Sequence, residues 1–373
     1  MARAPALQEI ERLPEADRLE GFPHPRETRD LFGHQAAERA LAEAFASGRM
    51  HHAWLLAGRS GIGKATLAYR FAAYAFAAAE ERDPLGEALA VSENTLARRQ
   101  VEALSHPGLL VIRRPCDPKT KRFAATIPVD EVRRLRAFLS RTAEEGAWRA
   151  VIVDQADELN ISSANALLKS LEEPPPRTLF LLVTSEPGRL LATIRSRCRR
   201  LVLGPLDAEP LRRAATRALE AAQARLPGES DWPRLTRLAR GSVRRLLALA
   251  SADGLKLYER VQGVMTALPT VDWVAAHTLS DELGAAAAEQ RFKTFFDLLL
   301  DSIADITRAR ATGAGGEDEL KLAARLIPDG RLASWAELWE TVVREKAEAL
   351  ALNLDRKSLI LETLSRMEAI ARR

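Results

Sequence analysis

Ala53-Trp54-Leu55-Leu56-Ala57-Gly58-Arg59-Ser60-Gly61-Ile62-Gly63-Lys64-Ala65-Thr66 is the stretch on which the fold turns. An apolar run over 53–56 enters G-x-x-x-x-G-K, and a helical pattern follows over 64–78. Strand, glycine loop and helix in that order make a phosphate cradle. Glycines let backbone N–H groups close round phosphate oxygens, the helix N-terminus adds partial positive charge, and the lysine reaches the β- and γ-phosphates. Gly58, Gly61, Gly63 and Lys64 are therefore candidate nucleotide-binding residues.

The next position normally carries a Ser or Thr hydroxyl for Mg²⁺, and here it is Ala65. Thr66 follows, but one residue along a helix is about 100° of rotation, so its hydroxyl points elsewhere. The second nucleotide motif ends the 150–153 run as Asp154-Gln155-Ala156-Asp157. In an active site of this pattern the first acid holds the metal and the next residue, a glutamate, positions the attacking water. Asp154 is present, Gln155 is not a base, and Glu158 lies beyond the strand end. Two independent defects fall on one reaction. Three readings follow: a loop kept as architecture, ATP or ADP bound without hydrolysis, and real turnover, which the defects oppose.

Further apolar runs lie at Leu109–Ile112, 150–153, 179–183 and 201–203, with helical patterns at 34–48, 64–78, 129–141 and 162–173. Short continuous runs suit parallel strands buried on both faces, and the alternation predicts a doubly wound α/β sheet. Segment 79–126 predicts a helix over 85–104 and a hairpin whose turn holds Pro115, Pro118, Lys119, Lys121 and Arg122. After Leu203 strands give way to helices. Residues 207–265 read as three or four short ones, punctuated by Pro227 and Gly241. Beyond 270, Phe292, Phe295, Leu299, Ile303 and Ile306 form one stripe, and Ile360, Leu364, Met367 and Ala371 another. The glycines Gly313, Gly315 and Gly316 separate a pair of helices. The expected domains are an α/β domain over 1–205, a small helical lid over 206–268 and a helical collar over 269–373.

At 373 residues, 47% of them apolar, the chain has ample material for several cores. A net charge of +4 permits a local nucleic-acid surface without arguing for one. Two cysteines, Cys116 and Cys198, build neither a disulfide framework nor a four-cysteine zinc site. The six histidines are scattered, so no metal is expected. The N-terminus has no apolar signal core and no apolar run reaches 18 residues, which predicts a cytoplasmic chain off the membrane.

Residues 51–69, Asp154-Gln155-Ala156-Asp157, the run Asn165-Ala166-Leu167-Leu168-Lys169-Ser170-Leu171-Glu172-Glu173-Pro174-Pro175, Thr193-Ile194-Arg195-Ser196-Arg197-Cys198 and Asn353-Leu354-Asp355-Arg356-Lys357 together resemble one family. It is that of the delta-prime subunits of the bacterial DNA polymerase III clamp loader, which are AAA+ proteins. The resemblance covers nearly the whole chain and implies a P-loop AAA+ fold. It also implies a hetero-pentameric ring with gamma/tau and delta subunits, a helical collar, and loading of a sliding clamp onto primed DNA. Such a subunit is largely non-catalytic. It lends a gamma/tau neighbour an arginine, which by position in the motif is Arg197. By the same resemblance Thr184 falls at the first sensor and Arg244 at the second, as γ-phosphate readers or as structural relics. Any polymerase activity belongs to the holoenzyme.

Many family members carry a four-cysteine zinc module between the nucleotide motifs. Only Cys116 stands there in this chain, so no zinc is carried over. The resemblance also implies contact with the backbone of primer–template DNA. Candidates are the helix start near Ser162 and the basic residues Arg133, Arg134 and Lys169. The alternative is that Arg133, Arg134 and Arg136 are the wet face of a helix whose dry face is Val132, Leu135 and Phe138. Two rival functions stand beside this one: an active gamma/tau-type ATPase, which Ala65 and Gln155 oppose, and an AAA+ adaptor in DNA repair.

Overall fold

The computed structural model describes residues 14–82, 88–92, 94–140, 147–251, 254–352 and 354–372. The chain's first 13 residues, 85–87 and 93 of the helix expected over 85–104, and Asn353 of the C-terminal motif lie outside the described residues. The chain divides into two compact units, one ending at Leu247 and one beginning at Ala248.

The first unit contains α1 (Gln35–Ala46), β1 (Ala53–Ala57), α2 (Lys64–Phe76), α3 (Leu96–Glu102), β2 (Leu109–Ile112), α4 (Val129–Leu139), β3 (Arg149–Val153), α5 (Ile161–Glu172), β4 (Thr178–Thr184), α6 (Ala192–Arg197), β5 (Arg199–Val202), α7 (Ala208–Ala221) and α8 (Trp232–Ala239). The five strands are parallel and ordered β2-β3-β4-β1-β5. Successive strand residues point to opposite faces, which explains why the runs are apolar throughout. Trp54, Leu56, Ile152 and Leu181 pack with α1 and α2 on one face. Leu55, Val151, Val153, Phe180 and Leu182 pack with α4, α5 and α6 on the other. The fold class is the one the sequence predicts, a phosphate-loop α/β domain followed by helices.

Two elements differ from expectation. β5 begins at Arg199, two residues before the apolar run. It is an edge strand and mostly exposed, and the Arg199 guanidinium lies 4.8 Å from the centre of the Trp54 ring. Charged side chains at an edge discourage pairing with other chains, so an apolar criterion misses its start. The helix expected over 85–104 is seen as α3, whose start is fixed by Thr95 accepting from the Arg98 N–H.

A further helix, α9 (Val243–Ala250), spans the point where the units meet in sequence. The second unit holds α10 (Gly254–Ala267), α11 (Trp273–Gly284), α12 (Glu289–Thr312), α13 (Glu317–Leu326), α14 (Leu332–Leu352) and α15 (Arg356–Arg372). Phe292, Phe295, Leu299, Ile303 and Ile306 are all buried, as are Ile360, Leu364 and Met367, while Ala371 is half-buried. Gly313 ends α12 in the left-handed region at φ 68°. Among the described residues no helix is long and apolar enough to cross a membrane.

Candidate functional site

The loop between β1 and α2 takes its shape from its glycines. Gly58, Gly61 and Gly63 have φ of 154°, 75° and 108°. At Gly61 the space is closed as well: an added Cβ would lie 2.4 Å from Arg244 Cβ and 2.5 Å from Ser242 Oγ. The segment entering α9 lies directly on the loop. The N–H groups of Val243 and Arg244 donate to Gly61 O at 2.9 and 3.3 Å, and Ser242 Oγ donates to Ser60 O at 2.9 Å.

Lys64 is 4% exposed. Its ammonium donates to Gly58 O (2.7 Å), Arg59 O (2.6 Å) and Ser185 Oγ (3.1 Å), so it is turned onto its own loop. Burial lowers its pKa to about 8, with Asp154 and Asp157 opposing the shift. Ala65 offers no oxygen, and Thr66 is buried one step further round the helix.

Asp154 is buried at the end of β3, and its Oδ2 has no hydrogen-bond partner among the described residues. Burial and the neighbouring Asp17 push its carboxyl well above the usual range. Burial alone would raise Asp17 too, but His24 at 2.7 Å and Arg113 at 2.8 Å outweigh it and hold that carboxyl well below its ordinary value. Burial and the nearby Asp17 thus both disfavour the ionised form of Asp154, while Asp17 keeps its charge. Gln155 adopts the left-handed region at φ 55°. Glu158 is raised to about 7 by burial even though Arg114 lies 2.6 Å away, and that ion pair holds it. Thr184 ends β4 fully buried, with no partner for its hydroxyl among the described residues.

Arg244 is half-buried, desolvation lowers its pKa, and its guanidinium donates to the carbonyls of Asp17 (3.1 Å) and Arg18 (3.4 Å). This N-terminal segment is what sequence reasoning missed. Glu15 bonds Arg26 (2.7 Å) and Arg113 (2.5 Å), and Asp17 sits beneath the second nucleotide motif. No signal marked it, because a short mixture of charges reads as solvated surface.

Loop, second motif, Arg244 and the N-terminal segment line one cleft of about 1210 Å³. That volume can hold a nucleotide, and the glycine cradle suits phosphate oxygens. A divalent cation is another matter, since it requires ionised or carbonyl oxygens aimed at one point. Ala65 supplies none, and burial together with Asp17 disfavours the ionised form of Asp154 that a cation would need. The residues do not fit a magnesium ion.

Arg197 is not among the residues lining the cleft. It ends α6 half-exposed, with one Nη donating to Thr193 O at 3.1 Å and the other 2.7 Å from Glu172 Oε1. Glu172 belongs to the Glu172-Glu173-Pro174-Pro175 run, so two of the sequence motifs meet in this ion pair. Cys198 is half-buried and its thiol is pushed up to about 11 by burial. Among the described residues no group of three or more His, Cys, Asp or Glu side chains could hold a metal ion.

The nucleic-acid candidates are scattered over α4 and α5. Arg133 and Arg134 are exposed and paired within their own helix, to Asp130 at 2.7 Å and Glu131 at 2.5 Å. Val132, Leu135 and Phe138 form the buried face. Ser162 and Lys169 are exposed on α5, whose start is capped by Asn160 accepting from the Ser163 N–H.

Comparison with known proteins adds sequence relatives to this geometry. A family profile described as "DNA polymerase III, delta subunit" matches residues 33–207. DNA polymerase III subunit delta' of Escherichia coli is 30% identical over 339 residues, covering 88% of this chain and 92% of that one. Subunit tau of the same organism is 31% identical over 272 residues, covering 71% of this chain and 39% of tau. Among solved structures, a gamma subunit-related protein of Thermotoga maritima aligns over 90% of this chain and 99% of its own, with a TM-score of 0.40 and 18% identity.

Proposed function

From the premise that the chain belongs to the DNA polymerase III delta-prime family, we propose that it is a largely non-catalytic subunit of the clamp loader. In this reading it sits in a hetero-pentameric ring with gamma/tau and delta subunits and helps to load the sliding clamp onto primer–template DNA. The helices beyond 269 supply the collar. Arg197 reaches the ATP site of a gamma/tau neighbour, where its guanidinium stabilises charge on the transferring phosphoryl group. Such a finger in trans is worth about 10³–10⁵ in rate, roughly 4–7 kcal/mol.

The observation that carries the proposal is the contrast between two arginines. Arg244, at the position that would read a γ-phosphate inside this chain, lies in the cleft with its guanidinium bonded to the carbonyls of Asp17 and Arg18. Arg197 stands half-exposed at a helix end, held among the described residues by Glu172 and a carbonyl of its own helix. With no fit for magnesium and with Lys64 turned inward, a nucleotide entering the cleft is held without hydrolysis. The same features disfavour an autonomous ATPase. Reconstitution of the ring with Arg197→Ala tests the reading: DNA-stimulated ATP hydrolysis falls while the assembly still forms. Unchanged hydrolysis rejects it.

A further inference from the structure

Between β2 and α4 the chain doubles back in a short hairpin. Cys116 and Phe123 form an antiparallel bridge. The Asp117 N–H donates to Arg122 O at 2.8 Å, and the Lys121 N–H donates to Asp117 O at 2.9 Å. Asp117 Oδ1 accepts from the N–H groups of Lys119 (2.8 Å) and Thr120 (2.7 Å), which ties the tip in one shape.

The cations here fall into two sets. At the root, Arg113 is spent on Asp17 and Glu15, and Arg114 on Glu158. At the tip, Lys119, Lys121 and Arg122 are exposed. Among the described residues neither Lys119 nor Arg122 has a carboxylate within ion-pair distance. Phe123 is 36% exposed beside them, with the Arg114 guanidinium 6.0 Å from its ring centre.

We propose that this hairpin tip is a contact for the phosphodiester backbone of nucleic acid, made by Lys119 and Arg122. A preshaped tip presents its cations without ordering backbone at the moment of binding. Phosphate contact releases condensed counterions and carries no sequence information, so two exposed cations suffice for it. Arg133 and Arg134 on α4 are poorer candidates. Each already has its own helix's carboxylate beside it, and a phosphate arriving there meets that negative charge. The exposed Phe123 adds a flat apolar face of the kind on which a base or sugar packs.

The hairpin's geometry stands without the clamp-loader reading, and the test keeps the two apart. Duplex binding is followed by the fluorescence anisotropy of a labelled primer–template, using the full-length chain alone and the reconstituted clamp loader, across a salt series. The double variant Lys119→Ala/Arg122→Ala leaves the fold intact by circular dichroism, since neither side chain is buried. Its log K against log salt plot becomes shallower by about 2, roughly 0.9 for each phosphate no longer neutralised. At 0.1 M salt the affinity drops by on the order of tenfold to a hundredfold. Arg133→Ala/Arg134→Ala changes the slope far less.

An unchanged slope overturns the inference, as does a slope that falls only with Arg133 and Arg134. Absence of salt-dependent duplex binding by both chain and assembly overturns it too. Weakened association with a protein subunit or the clamp, at unaltered DNA affinity, would make the hairpin a protein contact and reject it. If the chain does not enter the ring at all, the proposed function fails, and the anisotropy of the chain alone still reads the hairpin.

Discussion

Replacing Arg197 with alanine removes a guanidinium that does little for its own chain. Its ion pair with Glu172 is open to water, with side-chain exposures of 36% and 47%. Exposed pairs of this kind contribute about 0.2–1 kcal/mol. The variant should therefore unfold within roughly 2–4 °C of the wild type, the shift that about 1 kcal/mol gives in a unit of this size. Reaching a phosphate likewise means giving up at most about 1 kcal/mol, against roughly 4–7 kcal/mol gained in the neighbour's transition state. Giving up the pair therefore subtracts little from what the arginine contributes to the transition state. Hydrolysis at the one site this arginine serves should thus fall about 10³–10⁵-fold. Single-turnover hydrolysis of radiolabelled ATP by the reconstituted ring, with the other ATPase sites silenced, isolates that site. Arg197→Lys should recover only a small fraction, because an ammonium lacks the planar fork. Wild-type turnover by the alanine ring, with assembly verified by gel filtration, would refute the reasoning.

Three further outcomes follow from the cleft. Burial holds Lys64 at about 8 against an ordinary 10.5, so between those values the unfolded chain binds a proton that the folded chain has released. Stability therefore rises with pH across that window, by up to about 3 kcal/mol, and Lys64→Met should flatten the rise in urea titrations at pH 8 and 10; equal slopes in both proteins would contradict this. Gly61→Ala places a Cβ 2.4 Å from Arg244 Cβ at a φ of 75° and should cost about 1–3 kcal/mol, seen as an earlier urea midpoint; an unshifted midpoint would mean that the α9 segment gives way freely. Ala65→Ser/Gln155→Glu supplies the two groups the motifs lack but leaves Asp154 buried beside Asp17, so no magnesium-dependent ATP turnover by the isolated chain should appear in a phosphate-release assay, and turnover there would disprove the fit argument.

The features legible in sequence share one cause. Strand runs such as 150–153 and 179–183 are continuous because both faces are covered, and helix starts such as Asn160 and Thr95 announce themselves through short polar side chains at the cap. The phosphate loop is legible because glycine at three fixed positions has few uses other than left-handed backbone. What was hidden depends on long-range company. Asp17 and Asp154 are 137 positions apart in the chain, and only the folded sheet brings the N-terminal segment under β3. Arg199 opens an edge strand because Trp54 lies beneath its guanidinium, a neighbour that no local pattern reveals. Likewise, nothing in the run of arginines over 194–200 says that Glu172 holds Arg197 and that Arg199 lies over an indole.

The phosphate loop is held together by bonds that need no nucleotide. Its carbonyl oxygens are taken up in turn: Gly58 and Arg59 by Lys64, Ser60 by Ser242, Gly61 by Val243 and Arg244, Ile62 by His34 at 2.7 Å, and Gly63 by the Leu67 N–H at 2.9 Å. For His34 to serve a carbonyl, its Nε2 must carry the proton. Each of these bonds is worth about 0.5–1.5 kcal/mol, and leaving a buried acceptor unpaired costs more than that. Lys64, the residue that would have met a nucleotide, thus supports the turn between β1 and α2. That turn lies beneath the entrance to α9. The side chains of Ala65 and Gln155 make none of these bonds, so a change there removes nothing from the loop. Loss of Lys64 or of any of the three glycines would. A stable fold is by itself a sufficient reason for G-x-x-x-x-G-K to stand here, and the motif alone is evidence of architecture before it is evidence of turnover.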